Sequence, residues 1–286
     1  KGSFSDGLLK ALDTTSNVVN KVETTNTEAY EYYLRGKYKF RKRENMEDIE
    51  ISRGLLIKAA EMDDNLIIAK GLLGWSYFLT RDIDKSLEII NNSLKQAEAL
   101  ENKLSIAGSL IVLGIIYSSK NDIEKALDYY NRSLKIAQEI DDKRGLGPTL
   151  TSIGAIYNEI GDYEKAYDFF TRSIKFNEEF GDKRNLGWSL CKMGEYYLYS
   201  DNYEKAVTYL EKALNIRRKL DMEYLSNLIY LYLCYKNLGS GYDEKEIHRL
   251  IKETENIEFE LNLRLYELLE DKSYLETAYK QVQEKA

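Results

Sequence analysis

The chain has 286 residues, 43% of them hydrophobic and 12% aromatic, with 41 Lys plus Arg against 48 Asp plus Glu for a formal charge of -7, and a single proline. That apolar content fills a core and excludes a disordered chain, and the acidic balance excludes a general nucleic-acid binder, which must neutralise phosphates. One proline in this length points to long uninterrupted helices.

In chain order, residues 1–27 are rich in Ser, Thr and Asn, and read as a linker or as one amphipathic helix carrying Leu8, Leu9, Leu12, Val18, Val19 and Val22. The first residue is Lys1 and not Met, so the sequence reads as a piece of a longer protein. "AYEYYLRGKYKF" (Ala29 to Phe40) followed by "ISRGLLIKAAEMDDN" reads as a first helical hairpin, near 28–64. Then one sentence is written four times, 40 residues apart: "RDIDKSLEIINNSLKQ" from Arg81, "NDIEKALDYYNRSLKI" from Asn121, "GDYEKAYDFFTRSIKF" from Gly161 and "DNYEKAVTYLEKALNI" from Asp201. In the helix before each, Gly74, Gly114, Gly154 and Gly194 share one phase, and Tyr77, Tyr117, Tyr157 and Tyr197 another. In the helix after each turn, Ser86, Ala126, Ala166 and Ala206 are in phase, then Leu94, Leu134, Ile174 and Leu214. The turns "KND", "GD" and "SDN" carry Asp or Asn able to cap the next helix.

These units fall near 65–103, 104–143, 144–183 and 184–223. A sixth, near 224–256, has Cys234 in the glycine phase and Gly241 in the turn phase; residues 257–286 read as capping helices. Glycine inside a helix costs about 0.8–1 kcal/mol relative to alanine, so its recurrence calls for two backbones approaching closely. Each hairpin leaves an apolar face wet, and stacking the hairpins covers it.

The series Leu113, Gly114, Tyr117, Ala126, Tyr130 resembles the tetratricopeptide repeat family, in the longer-helix variant seen in kinesin light chain, since the family's usual period is ~34 residues. In place of the proline that commonly closes such a repeat stand "DDKR" (Asp141 to Arg144) and "GDKR" (Gly181 to Arg184). The resemblance implies an all-α fold: a right-handed superhelical solenoid of stacked antiparallel helix hairpins, about six repeats plus a C-terminal cap. A narrower resemblance, in "TTNTEAYEYYLRGKYKF" and "LLIKAAEMDDNLIIAKGLLGWSY", is to the leading segment of such arrays C-terminal to class III nucleotide cyclase or protein-kinase domains in bacterial signalling proteins; Asp63-Asp64 stands where those arrays usually show Asp-Pro.

No residue pattern calls for catalysis, a metal or a cofactor. The one histidine, His248, excludes every His-rich zinc site, would have to serve any Ser/His/Asp triad alone, and reads as a helix-surface residue in "EIHRLIKE". "GLGPT" (Gly145 to Thr149) lacks the third glycine and the preceding strand of a phosphate-binding turn, and reads as a helix start with Pro148 in its first turn. Cys191 and Cys234 sit in apolar helical pattern without metal or CxxC spacing, which fits a reducing compartment. No apolar stretch is long enough to cross a bilayer and no signal-peptide core opens the chain, so the expected location is cytoplasmic, without membrane or nucleic-acid partners. The basic run "RGKYKFRKR" (Arg35 to Arg43) reads either as a grip for an acidic tail or phosphate or as a solvated helix balanced by Glu44, Glu47, Asp48 and Glu50.

The resemblance implies a concave face lined by the first helix of each repeat. Helical spacing away from the glycine contact then selects Arg144, Thr151 and Asn158; Arg184, Trp188, Glu195 and Tyr199; Trp75 and Phe78; and Lys37 and Arg41. Rings bury apolar anchors, arginines pair carboxylates and Asn holds a peptide backbone, so the expected ligand is a protein or peptide segment. Trp75 equally suits core between repeats, and Arg144 and Arg184 equally suit helix-end ion pairs with Asp142 or Asp182. The sequence therefore reads first as a non-catalytic interaction module, a regulatory part of a larger bacterial signalling protein. Two rivals remain: the sensory region of a nucleotide cyclase or kinase, taking a small ligand or its own enzyme domain, and a scaffold that homodimerises through exposed apolar surface such as "LIYLYLCY" (Leu228 to Tyr235).

Overall fold

A computed structural model describes residues 26–43, 45–143, 145–254 and 257–283. The candidate helix in residues 1–25 and the candidate Arg144 lie outside the described residues. The described residues form fourteen helices and no strand.

The chain divides into two compact units, the first running to Asp142 and the second from Lys143. The first unit holds α1 (Thr27–Arg41), α2 (Met46–Met62), α3 (Ile67–Leu79), α4 (Ile83–Ala99), α5 (Lys103–Ser119) and α6 (Ile123–Glu139). They pack as the hairpins α1/α2, α3/α4 and α5/α6, with α2 on α3, α4 on α5 and α3 beside α5. The second unit holds α7 (Leu146–Glu159), α8 (Tyr163–Phe180), α9 (Lys183–Tyr199), α10 (Tyr203–Lys219), α11 (Leu225–Asn237), α12 (Glu244–Glu253), α13 (Phe259–Leu269) and α14 (Lys272–Gln283). Hairpins α7/α8 and α9/α10 stack, with α9 on both α7 and α8; α11 packs mainly on α10 and α13, and α13 pairs with α14 in a last hairpin.

One local device builds most of the turns. At the end of α5, Asn121 takes a left-handed conformation with φ 58°, and the Asp122 amide donates back to the Tyr117 carbonyl at 2.9 Å. Asp122 then caps α6, its carboxylate accepting the Lys125 amide. The last residue of one helix cap is thus the first of the next, which satisfies orphan groups at both ends in very few residues. The same geometry recurs with Arg81 and Asp82, Gly161 and Asp162, and Asp201 and Asn202.

The glycine phase marks the crossing within each hairpin. A Cβ on Gly114 would lie 2.7 Å from the Tyr130 ring, and one on Gly154 2.7 Å from the Phe170 ring; Gly74 and Gly194 stand likewise against Ile90 and Leu210. The tyrosine phase builds a second repeated feature. Lys125 sits 5.0 Å over the Tyr117 ring, which stacks on Tyr129 at 5.4 Å, and 40 residues on Lys165, Tyr157 and Phe169 repeat the stack at 4.9 and 5.6 Å. Cation–ring contacts of this kind tie the two helices of a hairpin together from the outside.

The apolar run in α11 corrects one expectation. Leu228 to Cys234 are all buried, because α9, α10, α12 and α13 surround that helix. "LIYLYLCY" is core of the second unit and offers no exposed dimer surface.

Candidate functional site

Within the second unit, α7 and α9 lie side by side, each crossing its hairpin partner on the glycine side. The last turns of both helices, with residues of α8 and one residue of α13, line a half-open cavity of about 260 Å³, in which Tyr163, Tyr199, Glu159 and Glu260 are exposed. Its lining is Ala155, Asn158, Glu159, Tyr163, Phe170, Lys192, Glu195, Tyr199 and Glu260. Asn158, Glu195 and Tyr199, candidates on the first-helix face that the family resemblance implies, are thus brought together. Phe170, fully buried beneath Gly154, forms the floor.

The charges in the cavity are ordered by short contacts. The Lys192 ammonium donates to Glu195 at 2.7 Å, with the two side chains 29% and 10% exposed. Burial works against the Lys192 charge, yet the adjacent Glu195 carboxylate holds its pKa above the usual lysine value. Burial likewise raises the Tyr199 phenol, Glu195 adding to the rise and Arg264 drawing it back. Arg264, on α13, lies 5.0 Å over the Tyr199 ring, donates to its hydroxyl at 3.3 Å and is held by both Glu267 oxygens at 2.7 Å. Burial also pushes the Glu159 carboxyl up; Lys192 opposes the rise, and Glu260 and Glu195 add to it. At neutral pH Lys192 therefore stays an ammonium and Tyr199 a phenol, a fixed pattern of charges suited to recognition.

The remaining candidates fall elsewhere. Thr151 is fully buried, its hydroxyl 2.7 Å from Ser173 and 2.9 Å from Ser189, so it couples α7, α8 and α9 and offers no surface. Arg184 is exposed in the first turn of α9, while Asp182 caps that helix and binds the Asn185 amide groups at 3.0 and 2.7 Å. Trp188 is half-buried and does not line the cavity.

In the first unit, Trp75 and Phe78 are half-buried and stacked at 5.1 Å; Lys37 lies 5.4 Å over the Tyr33 ring, and Arg41 is exposed. The basic run is partly spent within the fold, Lys39 pairing Asp48 and Arg43 lying 4.5 Å over Phe40. His248 is exposed, and the buried thiols of Cys191 and Cys234 are pushed up to about 11 and about 12 by desolvation, far from reactive thiolates.

The residues that spacing alone missed are Glu159, Tyr163, Phe170, Lys192 and Glu260. A signal existed for two of them. Glu159 is the 40-residue equivalent of Tyr199, and Lys192 lies one turn before Glu195 on the same face. Glu260 carried none, because it arrives from a helix outside the regular repeat.

A family model of the tetratricopeptide repeat matches residues 65–139 and 146–219. Among solved structures, a Rap protein complexed with competence and sporulation factor aligns with a TM-score of 0.67 at 17% identity, over 98% of this chain and 76% of that one. The apo form of RapI aligns with a TM-score of 0.62 at 19% identity, over 90% and 99% of the two chains. PilF of Pseudomonas aeruginosa aligns at 0.56 and 15%, over 91% and 99%. Likeness at these identities establishes the fold. No curated protein matches the sequence.

Proposed function

The chain belongs to the tetratricopeptide repeat family, and from that premise we propose that it is a non-catalytic interaction module that binds a peptide or partner segment at the last turns of α7 and α9. The observation that carries this reading is the cavity itself. Asn158, Glu195 and Tyr199 sit on the same-phase helices of successive hairpins, so an extended segment laid across those helices meets polar anchors at the repeat spacing. The charge states favour recognition over proton transfer, since Lys192 and Tyr199 are both held in their protonated forms at neutral pH. The solved structure of a Rap protein with a bound factor lends the analogy of a like fold that holds a ligand.

The resemblance of the segment containing α1 to arrays beside nucleotide cyclase and kinase domains supports a regulatory role within a larger bacterial signalling protein. The segment taken up would then come from a partner or from that protein's own enzyme domain.

The test is panning of a phage-displayed peptide library on the full chain and on an Asn158→Ala/Tyr199→Ala variant of matched circular dichroism. The reading predicts peptides enriched on the parent and lost on the variant. Equal enrichment on both, or none on either, contradicts it.

A further inference from the structure

The cavity accepts hydrogen bonds and positive charge better than it donates them. Three carboxylates line it, Glu159, Glu195 and Glu260, against one ammonium, Lys192. Lys192 is committed to Glu195 at 2.7 Å, and Arg264 beyond Tyr199 is committed to Glu267. Glu159 and Glu260 form no ion pair with any described residue. The side-chain oxygen of Asn158 is buried without a hydrogen-bond partner among the described residues. That oxygen is an acceptor left open to a donor from outside.

Size and walls narrow the donor. A volume of about 260 Å³ falls below the ~300–1,000 Å³ of sites that take a whole small molecule, and suits one long side chain. Tyr163, Phe170 and Tyr199 supply rings along which an aliphatic stem can lie and near which a cation is attracted. An anion would meet two unpaired carboxylates. Among the described residues no set of three His, Cys, Asp or Glu is gathered closely enough to hold a metal ion.

We propose that this cavity receives one basic side chain, an arginine or lysine, of the peptide segment the module binds, with its stem along Tyr163, Phe170 and Tyr199 and its charged head among Glu159, Glu260 and the Asn158 oxygen. The proposal rests on the peptide-binding reading above and names the chemistry of its anchor. Arginine fits better, because its planar fork offers several donors to acceptors that arrive from α7 and α13. The raised Glu159 carboxyl, faced by Lys192, Glu195 and Tyr199 from α9, Tyr163 from α8 and Glu260 from α13, is stabilised in its ionised form by an entering cation. Binding then releases a proton and tightens as the pH rises through that group's titration.

The experiment selects phage-displayed dodecapeptides on the full chain, then synthesises the selected peptides with each arginine changed to citrulline or lysine to norleucine, and titrates them by fluorescence anisotropy. The expected result is a basic residue recurring at one position, and a loss of about tenfold or more in affinity when that residue alone is made neutral. A Glu159→Gln/Glu260→Gln variant, whose replaced groups hold no ion pair in the fold, should bind the parent peptide about tenfold weaker and show no further loss with the neutral peptide. Peptides that bind and are lost on Tyr199→Ala, yet ignore the neutral swap, overturn this proposal and leave the interaction module standing. Failure to select any peptide overturns both.

Discussion

The two units repeat one scaffold and diverge in what they place at a single phase of it. At the last turns of α3 and α5 in the first unit stand Trp75, Phe78 and Leu79, then Ile115, Ser118 and Ser119. At the equivalent places in α7 and α9 of the second stand Ala155, Asn158 and Glu159, then Glu195, Leu198 and Tyr199. Beneath both, the crossing is the same: Gly114 against Tyr130 in one, Gly154 against Phe170 in the other. Packing is held constant along the array while the exposed end of each first helix is free to vary, and it is there that charge accumulates.

If the scaffold is shared, core lesions must cost alike in both units. Phe170→Ala removes a fully buried ring and should cost about 3–5 kcal/mol in urea unfolding, with Tyr130→Ala of the same order. A far smaller effect for either would show that the two crossings are not equivalent.

Gly114→Ala and Gly154→Ala, whose new methyls would meet the facing rings, should each destabilise by about 1–3 kcal/mol. Gly108→Ala, on the same helix as Gly114 but with nothing near its added carbon, should instead stabilise by up to about 1 kcal/mol. Opposite signs on one helix separate packing from helix propensity. The cap residue Asn102, which accepts the Ser105 amide at 3.0 Å, should cost about 1 kcal/mol on replacement by alanine.

The smallest expected effect sharpens the difference. The Glu159 carboxyl has a raised pKa in the folded state, so its penalty is absent below the ordinary glutamate range, grows between the ordinary and the raised value, and is full above the raised one. Glu159→Gln should therefore melt like the parent at low pH and above it once that carboxyl ionises. Ser119→Ala, the same phase in the first unit, should show no such pH dependence.

The repeat, its hairpins and the glycine crossing follow from the 40-residue spacing, because a phase that returns in every unit reports a contact made in every unit. Contacts made in only one place leave no such trace. Thr151 lies three residues before Gly154, and a wheel drawn around the glycine turns it toward open surface; the neighbouring hairpin, absent from that construction, buries it against Ser189. The apolar run of α11 reads as exposed for a related reason, since nothing in the sequence places α13 over it. Glu260 belongs with the cavity through that same packing, and only tertiary structure brings it there.

The most direct test of where recognition occurs is amide chemical-shift mapping on the deuterated full chain, with a peptide selected on it as the probe. Shifts concentrated at Ala155 to Glu159, Lys192 to Tyr199 and Glu260 are the predicted result. Shifts centred instead on Trp75 and Phe78 of the first unit would contradict the account.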